Sequence, residues 1–200
     1  MVTIPTAVLD IPGQDATTEA VTHTGDFDRF TELLTRHWDS AYRYAYHLTG
    51  NVPDAEDLVQ QAAEEALVSF RRFQPGTRFD RWLMRIVHNS FIDRIRRGRR
   101  LTVFSLDDVH ASPLVADRSD DPEAAAEAAL HGLVLRALQA LPPEFRAAVI
   151  LVDLQGLPYG DAAEILHCPV GTIRSRLHRG RLTLRELLRP HMEAVKRGEA

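Results

Sequence analysis

The sequence predicts an all-α protein made of two small helical domains joined by a flexible acidic linker. Apolar residues recur at helical spacing before residue 101 and after residue 122, and no strand-like alternation of useful length appears. Residues 102–122, in contrast, carry two prolines and five aspartates with weak periodicity. That composition is typical of an extended linker. Apolar residues make up 44% of the 200-residue chain, which is enough for two packed cores.

The N-terminal part predicts a mobile tail followed by two helices. Residues 1–25 are rich in Thr, Ala, Pro and Gly without sustained periodicity, which is typical of a disordered tail. A helix is expected from Phe27 to the stop signal Thr49-Gly50-Asn51. Pro53 then suits the first turn of a second helix, with acids at its positive end, and this helix is expected to run to about Phe73. The apolar stripe of the first helix consists of Phe30, Leu33, Leu34, Trp38, Ala41, Ala45 and Leu48.

A third long helix is expected after the loop at residues 74–77. Asp80 is a plausible N-terminal cap, and the helix is expected to end near Arg96 in a cluster of arginines. The first domain therefore spans residues 26–101, and the linker spans residues 102–122.

The second domain is expected to span residues 123–190, followed by a tail at residues 191–200. Leu133, Leu135, Leu138 and Leu141 indicate one helix, and Pro142-Pro143 begin another that runs to about Asp153.

Residues 157–189 have the pattern of a helix-turn-helix. The small residue Ala163 allows a close helix crossing, His167-Cys168-Pro169 form a turn, and Ile173 is placed to bury its side chain at the crossing. Between Arg174 and Arg189 there are six arginines and one acid, Glu186, which is unlike an ordinary salt-bridged surface helix. The sequence therefore predicts binding to duplex DNA. The side chains expected outside the apolar stripe are Arg174, Ser175, Arg176, His178, Arg179 and Arg181.

Charge is segregated along the chain, although the formal net charge is only -4. Residues 71–101 contain ten arginines and two acids, whereas residues 102–173 contain eleven acids and three arginines. Two basic blocks thus flank an acidic middle, and this distribution favours a nucleic-acid partner despite the net charge. A single cysteine excludes an internal disulfide framework. Neither a secretory signal nor an apolar run of membrane-spanning length is present, so a cytoplasmic location without membrane insertion is expected.

Five motifs in order carry a family resemblance: DAEDLVQ, FQPGT, RWLMRIVHNSFIDRIRR, LPPEFRAAVIL and CPVGTIRSRLHRGR. With these motifs the chain resembles an extracytoplasmic-function (ECF) sigma factor of bacterial RNA polymerase, in the sigma-70 family, over about residues 27–189. The resemblance implies two domains, called regions two and four, without the inhibitory N-terminal domain of housekeeping sigma factors. It also implies a protein that binds core RNA polymerase, directs it to promoters and helps open the DNA. A stress response and control by an anti-sigma factor are further expectations.

The resemblance assigns roles to three groups of residues. The DAEDLVQ helix is expected to dock on core polymerase, the loop and third helix on single-stranded minus-10 DNA, and the second helix of the helix-turn-helix on duplex minus-35 DNA. The core-binding candidates are Asp54, Glu56, Asp57, Leu58 and Gln60. The minus-10 candidates are Arg78, Arg81, Arg85, Asn89, Asp93, Arg96 and Arg97, and the minus-35 candidates are Arg174, Ser175, Arg176, His178, Arg179 and Arg181.

The chain departs from the family pattern at two places. Gln61 stands where an acid is usual, and Ala62-Ala63 replace a bulkier pair. His167 stands where the family usually has glycine, so a left-handed backbone with slight strain is expected there.

The acidic linker is either a solvated tether or a segment that threads the polymerase cleft, with Asp107, Asp108, Asp117, Asp120 and Asp121 imitating nucleic-acid charge.

Three other classes of protein compete with this interpretation. A LuxR-type regulator would share the helix-turn-helix but would not dock on polymerase. A metal or redox switch would rest on Cys168 and nearby histidines, without recurring ligand spacing. An enzyme is the least favoured class, because no nucleophile elbow, phosphate loop or metal-ligand motif is present. No catalytic residue, metal ligand or cofactor is therefore expected.

Overall fold

The computed structural model describes residues 19–74, 76–102 and 122–196, and every regular element in these ranges is helical. The first three α-helices form an N-terminal unit, and the remaining four form a C-terminal unit. A 3-10 turn, Phe70–Arg72, follows the second helix, and a π-helical turn, Ile150–Leu154, continues the fifth. The α-helices are α1 (Glu19–Thr49), α2 (Val52–Ser69), α3 (Phe79–Thr102), α4 (Pro122–Gln139), α5 (Pro143–Val149), α6 (Tyr159–Ile165) and α7 (Val170–Lys196).

The N-terminal unit is a three-helix bundle with an aromatic and aliphatic core. Phe30 and Trp38 of α1, Leu58 of α2 and Leu83 of α3 are all at most 3% exposed. The start of α2 is fixed by a reciprocal cap, because the Asn51 side chain accepts from the backbone N–H of Asp54 (2.9 Å) and donates to its carboxylate (2.7 Å). The predicted helix order is therefore confirmed in this unit.

Helix ends differ from the predicted ones at both ends of the described chain. Helix α1 begins at Glu19, inside the stretch predicted as a tail, because adding turns to an already packed helix costs far less than nucleating one. Helix α7 continues through Pro190 to Lys196, where a tail from residue 191 was predicted. Proline removes one hydrogen-bond donor, but its fixed φ is compatible with helical backbone.

Smaller differences occur inside the chain. Helix α3 begins at Phe79, so Asp80 lies within its first turn, where it pairs with Arg78 rather than acting as the cap. Leu141 is buried but lies beyond the end of α4. The expected linker lies almost entirely outside the described residues, as do its five aspartates.

The two helical units pack against each other, which the sequence pattern did not indicate. Helix α3 contacts α6, and α1 contacts α4, α5 and the π-helical turn. The buried apolar residues of both units form a single cluster. The last turn of α1 lies in this contact. Its carbonyl groups have no partners within the helix and need donors from elsewhere.

Side chains of the C-terminal unit cap the C-terminus of α1. Arg146 Nη1 donates to the Leu48 carbonyl at 2.6 Å, and Gln139 Nε2 donates to the His47 carbonyl at 2.9 Å. The Gly50 N–H donates to the Tyr46 carbonyl at 2.8 Å. Three successive carbonyls are thus satisfied, two of them by residues about 90 positions away in sequence.

Gly50 is required at this junction for two reasons. Its φ is +83°, a left-handed conformation that side chains with a Cβ rarely adopt. In addition, a Cβ at this position would lie 2.7 Å from the Gln139 side chain. Any substitution would therefore strain the turn and displace the Gln139 side chain from its present position.

Arg146 also organises its own unit. Its guanidinium donates to the Gln139 amide oxygen and carbonyl, both at 2.6 Å, and to the Leu141 carbonyl at 3.1 Å. Burial lowers the pKa of Arg146 to about 10, so the side chain remains cationic at neutral pH. A cation next to the C-terminus of α1 is also favoured by the helix dipole.

Replacing Arg146 with methionine should therefore destabilise the whole chain. Arg146→Met leaves the Leu48 and Leu141 carbonyls without donors, and we expect a loss of about 3 kcal/mol in the free energy of unfolding. Urea denaturation followed by circular dichroism measures it. Arg136→Met, an exposed position on α4, is the matched control, for which we expect a change below about 0.5 kcal/mol. Equal stability of the two variants would contradict the capping role.

Candidate nucleic-acid interface

Helices α6 and α7 and the turn between them form the predicted helix-turn-helix. Ile173 is fully buried and Ala163 is 8% exposed, so the small and branched residues lie at the crossing as expected. The turn is closed by a hydrogen bond from the Cys168 N–H to the Ala163 carbonyl (3.1 Å). His167 has a φ of +49°, which confirms the left-handed backbone predicted there.

The outer face of α7 presents Arg174, Ser175, His178 and Arg179, all exposed. The Ser175 hydroxyl donates to the Thr172 carbonyl at 2.9 Å, which fixes its orientation at the start of the helix. No ion pair occupies Arg174 or Arg179 within the described part of the chain. These side chains are therefore free to contact base edges and phosphates.

Two other predicted minus-35 residues point elsewhere. Arg176 is half-buried. Its guanidinium donates to Cys168 Sγ at 3.6 Å, and its positive charge lowers the pKa of His88 on α3. Arg181 makes two hydrogen bonds to Asp153, at 2.6 and 3.0 Å, and these bonds raise its pKa. Arg176 is thus partly covered on the side that faces α3, and the minus-35 roles of both arginines stay predictions.

Gly180, which the sequence reasoning missed, allows α7 to approach α5 closely. A Cβ at Gly180 would lie 2.9 Å from Val149 Cγ2, so α7 crosses α5 closely at this position. A glycine in the middle of a basic helix is the signal that could have indicated this crossing.

The predicted minus-10 residues follow one face of α3. Arg81, Arg85, Asn89 and Asp93 are spaced by four residues, which places them along one side of the helix. Asn89 and Asp93 are exposed, as are Arg96 and Arg97 further along, and Arg96 pairs with Asp93 at 3.4 Å. The face is therefore continuous from the loop to the basic end of α3.

A cleft of about 340 Å³ opens at the start of this face. Its walls include Phe73, Thr77 and Trp82 together with the guanidinium groups of Arg81 and Arg85. The rings of Phe73 and Trp82 lie 5.2 Å apart and are only partly covered on the Trp82 side. Phe91 of the same helix is 5% exposed and belongs to the core, so its ring offers no stacking surface.

Carboxylates of α6 contact the arginines at this cleft. Asp161 Oδ2 lies 2.5 Å from Arg81 Nη2 and 3.7 Å from Arg78 Nη1, and Glu164 Oε2 lies 3.1 Å from Arg81 Nη1. Asp161 is 8% exposed, and Arg78 is also paired with Asp80 at 2.7 Å. The sequence did not predict this contact, because it joins residues more than 80 positions apart.

The predicted polymerase-binding residues divide into exposed and structural positions on α2. Glu56 and Asp57 are exposed and Gln60 is partly exposed. Asp54 pairs with Arg94 and with the Asn51 cap, so its carboxylate has a structural role. Leu58 is fully buried and cannot anchor an external contact, because it fills the core between α1 and α3. Two apolar residues on this helix are exposed, Val52 at 47% and Val68 at 85%, and the sequence reasoning missed both.

His88 lies where α3 meets α7. The Tyr44 hydroxyl and His88 Nδ1 are 3.3 Å apart, and Tyr44 is fully buried. Burial, together with the smaller effect of the positive charge of Arg176, lowers the pKa of His88 to about 4. His88 is therefore neutral at physiological pH.

Within the described ranges, no group of three or more His, Cys, Asp and Glu side chains is arranged to hold a metal ion. None of the described helices combines the length and apolar character needed to cross a bilayer.

The fold and the site define a helical DNA-binding protein with two basic surfaces, one on a helix-turn-helix and one on a separate bundle. The Sigma-70 region 2 family matches residues 33–101, and Sigma-70 region 4 matches residues 131–184. The chain is 40% identical to the ECF RNA polymerase sigma factor SigE of Mycolicibacterium smegmatis, over 93% of this chain and 68% of that protein. It is 34% identical to SigW of Bacillus subtilis, over 82% of this chain and 91% of that protein.

Solved structures agree with these matches. One similar structure is the sigma factor RpoE in complex with the anti-sigma factor NepR from Bartonella quintana. The two chains are 29% identical, with a TM-score of 0.68, and the match covers 80% of this chain and 97% of RpoE. CnrH in complex with the cytosolic domain of CnrY shares the fold at 24% identity, with a TM-score of 0.59, over 86% of this chain and 94% of that one. The chain belongs to the ECF sigma factors of the sigma-70 family.

Membership in this family confirms the predicted resemblance and rules out the LuxR-type alternative. The chain is an alternative sigma factor, which gives RNA polymerase its promoter choice in transcription initiation. The N-terminal unit corresponds to region 2 and the C-terminal unit to region 4.

Stability should fall in acid because of His88. The folded pKa is about 4 against an ordinary 6.5, so the unfolded chain binds the proton first as pH falls. Stability is unaffected above pH 6.5 and decreases between pH 6.5 and 4 by up to about 3 kcal/mol, at about 1.4 kcal/mol per pKa unit. His88→Gln should flatten this profile in urea titrations, whereas His178→Gln, at an exposed position, should keep the wild-type slope. Parallel slopes for both variants would refute the assignment to His88.

Proposed function

We propose that this sigma factor holds a promoter at two points while a third surface docks on core polymerase. The outer face of α7 enters the major groove at the minus-35 element, and the α3 face with its cleft holds the opened minus-10 strand. The observation that carries the proposal is the cleft, where arginines surround an aromatic wall next to the exposed Asn89.

The minus-35 contact rests on side chains at the start of α7. Arg174 and Arg179 can each offer a guanidinium fork to the O6 and N7 atoms of guanine. Ser175 and His178 lie on the same exposed face and can reach a neighbouring base or phosphate. Arg181 is assigned to the DNA backbone, where a phosphate competes with the Asp153 carboxylate for its guanidinium.

The minus-10 contact requires single-stranded DNA. An unstacked base needs an aromatic or planar surface and polar groups at its edge, and the backbone needs positive charge. Trp82 supplies the surface, Asn89 supplies the edge contact, and Arg85, Arg96 and Arg97 line the path of the backbone. Arg78 and Arg81 belong to the same path once the α6 carboxylates move away.

The polymerase contact is assigned to the exposed side of α2. Glu56, Asp57 and Gln60 offer acidic and polar groups to a basic partner helix. Val68, at the other end of the helix, replaces Leu58 as the apolar anchor, since a buried side chain contributes nothing to an external contact.

The same proposal includes control by an anti-sigma factor. It is supported by the structure of the related RpoE, which was solved with the anti-sigma factor NepR. We further propose that the chain acts in the cytoplasm, where its polymerase is located, and serves a stress-type regulon. It catalyses no reaction itself, because the chemistry of transcription belongs to the polymerase.

Two alanine variants should separate the DNA contacts. Arg179→Ala should lower promoter-specific transcription by roughly 10- to 100-fold without changing core binding, as expected for the loss of one base contact. Asn89→Ala should impair strand opening, measured by permanganate footprinting, more than it impairs initial binding. Arg36→Ala, at an exposed position on α1, is the control. Wild-type transcription by both variants would overturn these site assignments.

Charge reversal on α2 tests the docking surface. Glu56→Arg with Asp57→Arg should weaken binding to purified core polymerase by at least about tenfold, because the introduced arginines repel the basic partner helix that the two acids attract. Co-elution and fluorescence titration measure the effect. Glu127→Arg, at an exposed position on α4, should bind like wild type, whereas undiminished binding of the double variant would exclude this face.

A further inference from the structure

Arg81 is held from both sides by carboxylates of α6. Asp161 contacts one terminal nitrogen at 2.5 Å and Glu164 contacts the other at 3.1 Å. The Arg81 side chain is 20% exposed and the Asp161 side chain 11%, so the pair lies in a partly desolvated position. Charge-assisted hydrogen bonds in such surroundings are stronger than those at an open surface.

This arrangement competes with DNA for the same guanidinium. The two carboxylates offset the positive charge of Arg81, so its guanidinium attracts a phosphate less strongly than an unpaired arginine does. Arg78 is also engaged, by Asp80 at 2.7 Å and by Asp161 at 3.7 Å. Glu164 in addition forms part of the cleft wall, where a strand would enter. A DNA strand therefore has to displace the α6 carboxylates before it can use this end of the α3 face.

The rest of the contact between the two units positions α6. Arg146 and Gln139 cap the end of α1, and Gln155 Nε2 donates to the Ser40 carbonyl at 3.3 Å. These bonds involve main-chain carbonyls and leave the predicted base-reading residues untouched. The occupied side chains are on the strand-binding side, while Arg174 and Arg179 of α7 stay exposed.

We propose that Asp161 and Glu164 act as an internal competitor of the opened promoter strand. In the free sigma factor they close region 4 onto region 2 and occupy Arg78 and Arg81. Separation of the two units releases Arg81 and removes Asp161 from Arg78, so the chain binds opened DNA at full strength only after the two units have separated. This inference rests on the proposed minus-10 role of the two arginines.

The first experiment measures closure without DNA. Spin labels at Val68→Cys and Leu182→Cys, both at exposed positions, in a Cys168→Ser background report the distance between α2 and α7 by pulsed electron paramagnetic resonance. The double variant Asp161→Asn with Glu164→Gln should give longer and broader distances. The control Glu127→Gln with Glu144→Gln changes the net charge equally at exposed positions and should keep the parent distribution. An unchanged distribution in the Asp161 and Glu164 variant overturns the proposal.

The second experiment measures competition with DNA on the free full-length chain. The probe is a fluorescent single-stranded DNA of about 12 nucleotides with random sequence, which reports backbone contacts. The Asp161 and Glu164 variant should bind at least about threefold more tightly than the charge-matched control at the same salt concentration. Equal affinity of the two variants overturns the proposal, because the carboxylates would then not compete with the strand.

A third arm separates this proposal from the proposed function. In reconstituted holoenzyme, Arg81→Gln should impair strand opening in footprinting assays. Normal opening by Arg81→Gln overturns the minus-10 role itself. Impaired opening by Arg81→Gln, combined with equal affinities in the second experiment, overturns only the internal competition.

Discussion

The capping of the α1 C-terminus by Arg146 is the constraint on which the arrangement of the two units depends. A 31-residue helix ends inside the protein, and its last carbonyls need donors that water cannot supply there. Arg146 and Gln139 provide them from the other unit, and Gly50 provides the backbone turn that lets Gln139 approach. In the closed chain, the relative position of regions 2 and 4 therefore depends on main-chain atoms, whose positions vary little with side-chain sequence.

With the C-terminus of α1 capped, the opposite edge of the contact between the two units is held by ion pairs. The apolar cluster that both units share sets them close together, and α6 then lies against the basic start of α3. The acidic middle of the chain ends at this helix, which explains why its two acids meet arginines of the first basic block. A contact held by ion pairs at one edge weakens with salt and with a competing polyanion, whereas an apolar contact does not.

Local patterns predicted most of the fold and part of the site. Helix order and the helix-turn-helix followed from periodicity, proline and turn chemistry, which act over a few residues. The left-handed His167 followed from the family resemblance, since the family usually has glycine there. The burial of Leu58 and the inward position of Arg176 did not follow, because each depends on a helix that is distant in sequence. Helix ends were also misplaced at Glu19 and Lys196, since packing of the central turns, rather than a stop signal, decides how far exposed turns extend.

The two proposed DNA-binding faces are consequently in different states in the closed chain. Arg174 and Arg179 stand free on α7, whereas Arg81 on α3 is engaged by two carboxylates. Duplex DNA is already available at a closed promoter, but an opened strand appears only after melting. Occupation of the α3 face until then therefore does not weaken the initial recognition of the promoter. The guanidinium groups that bind any phosphate would otherwise retain single-stranded nucleic acid without regard to sequence. Occupying them with internal carboxylates favours binding at the stage when the strand has been exposed at the promoter.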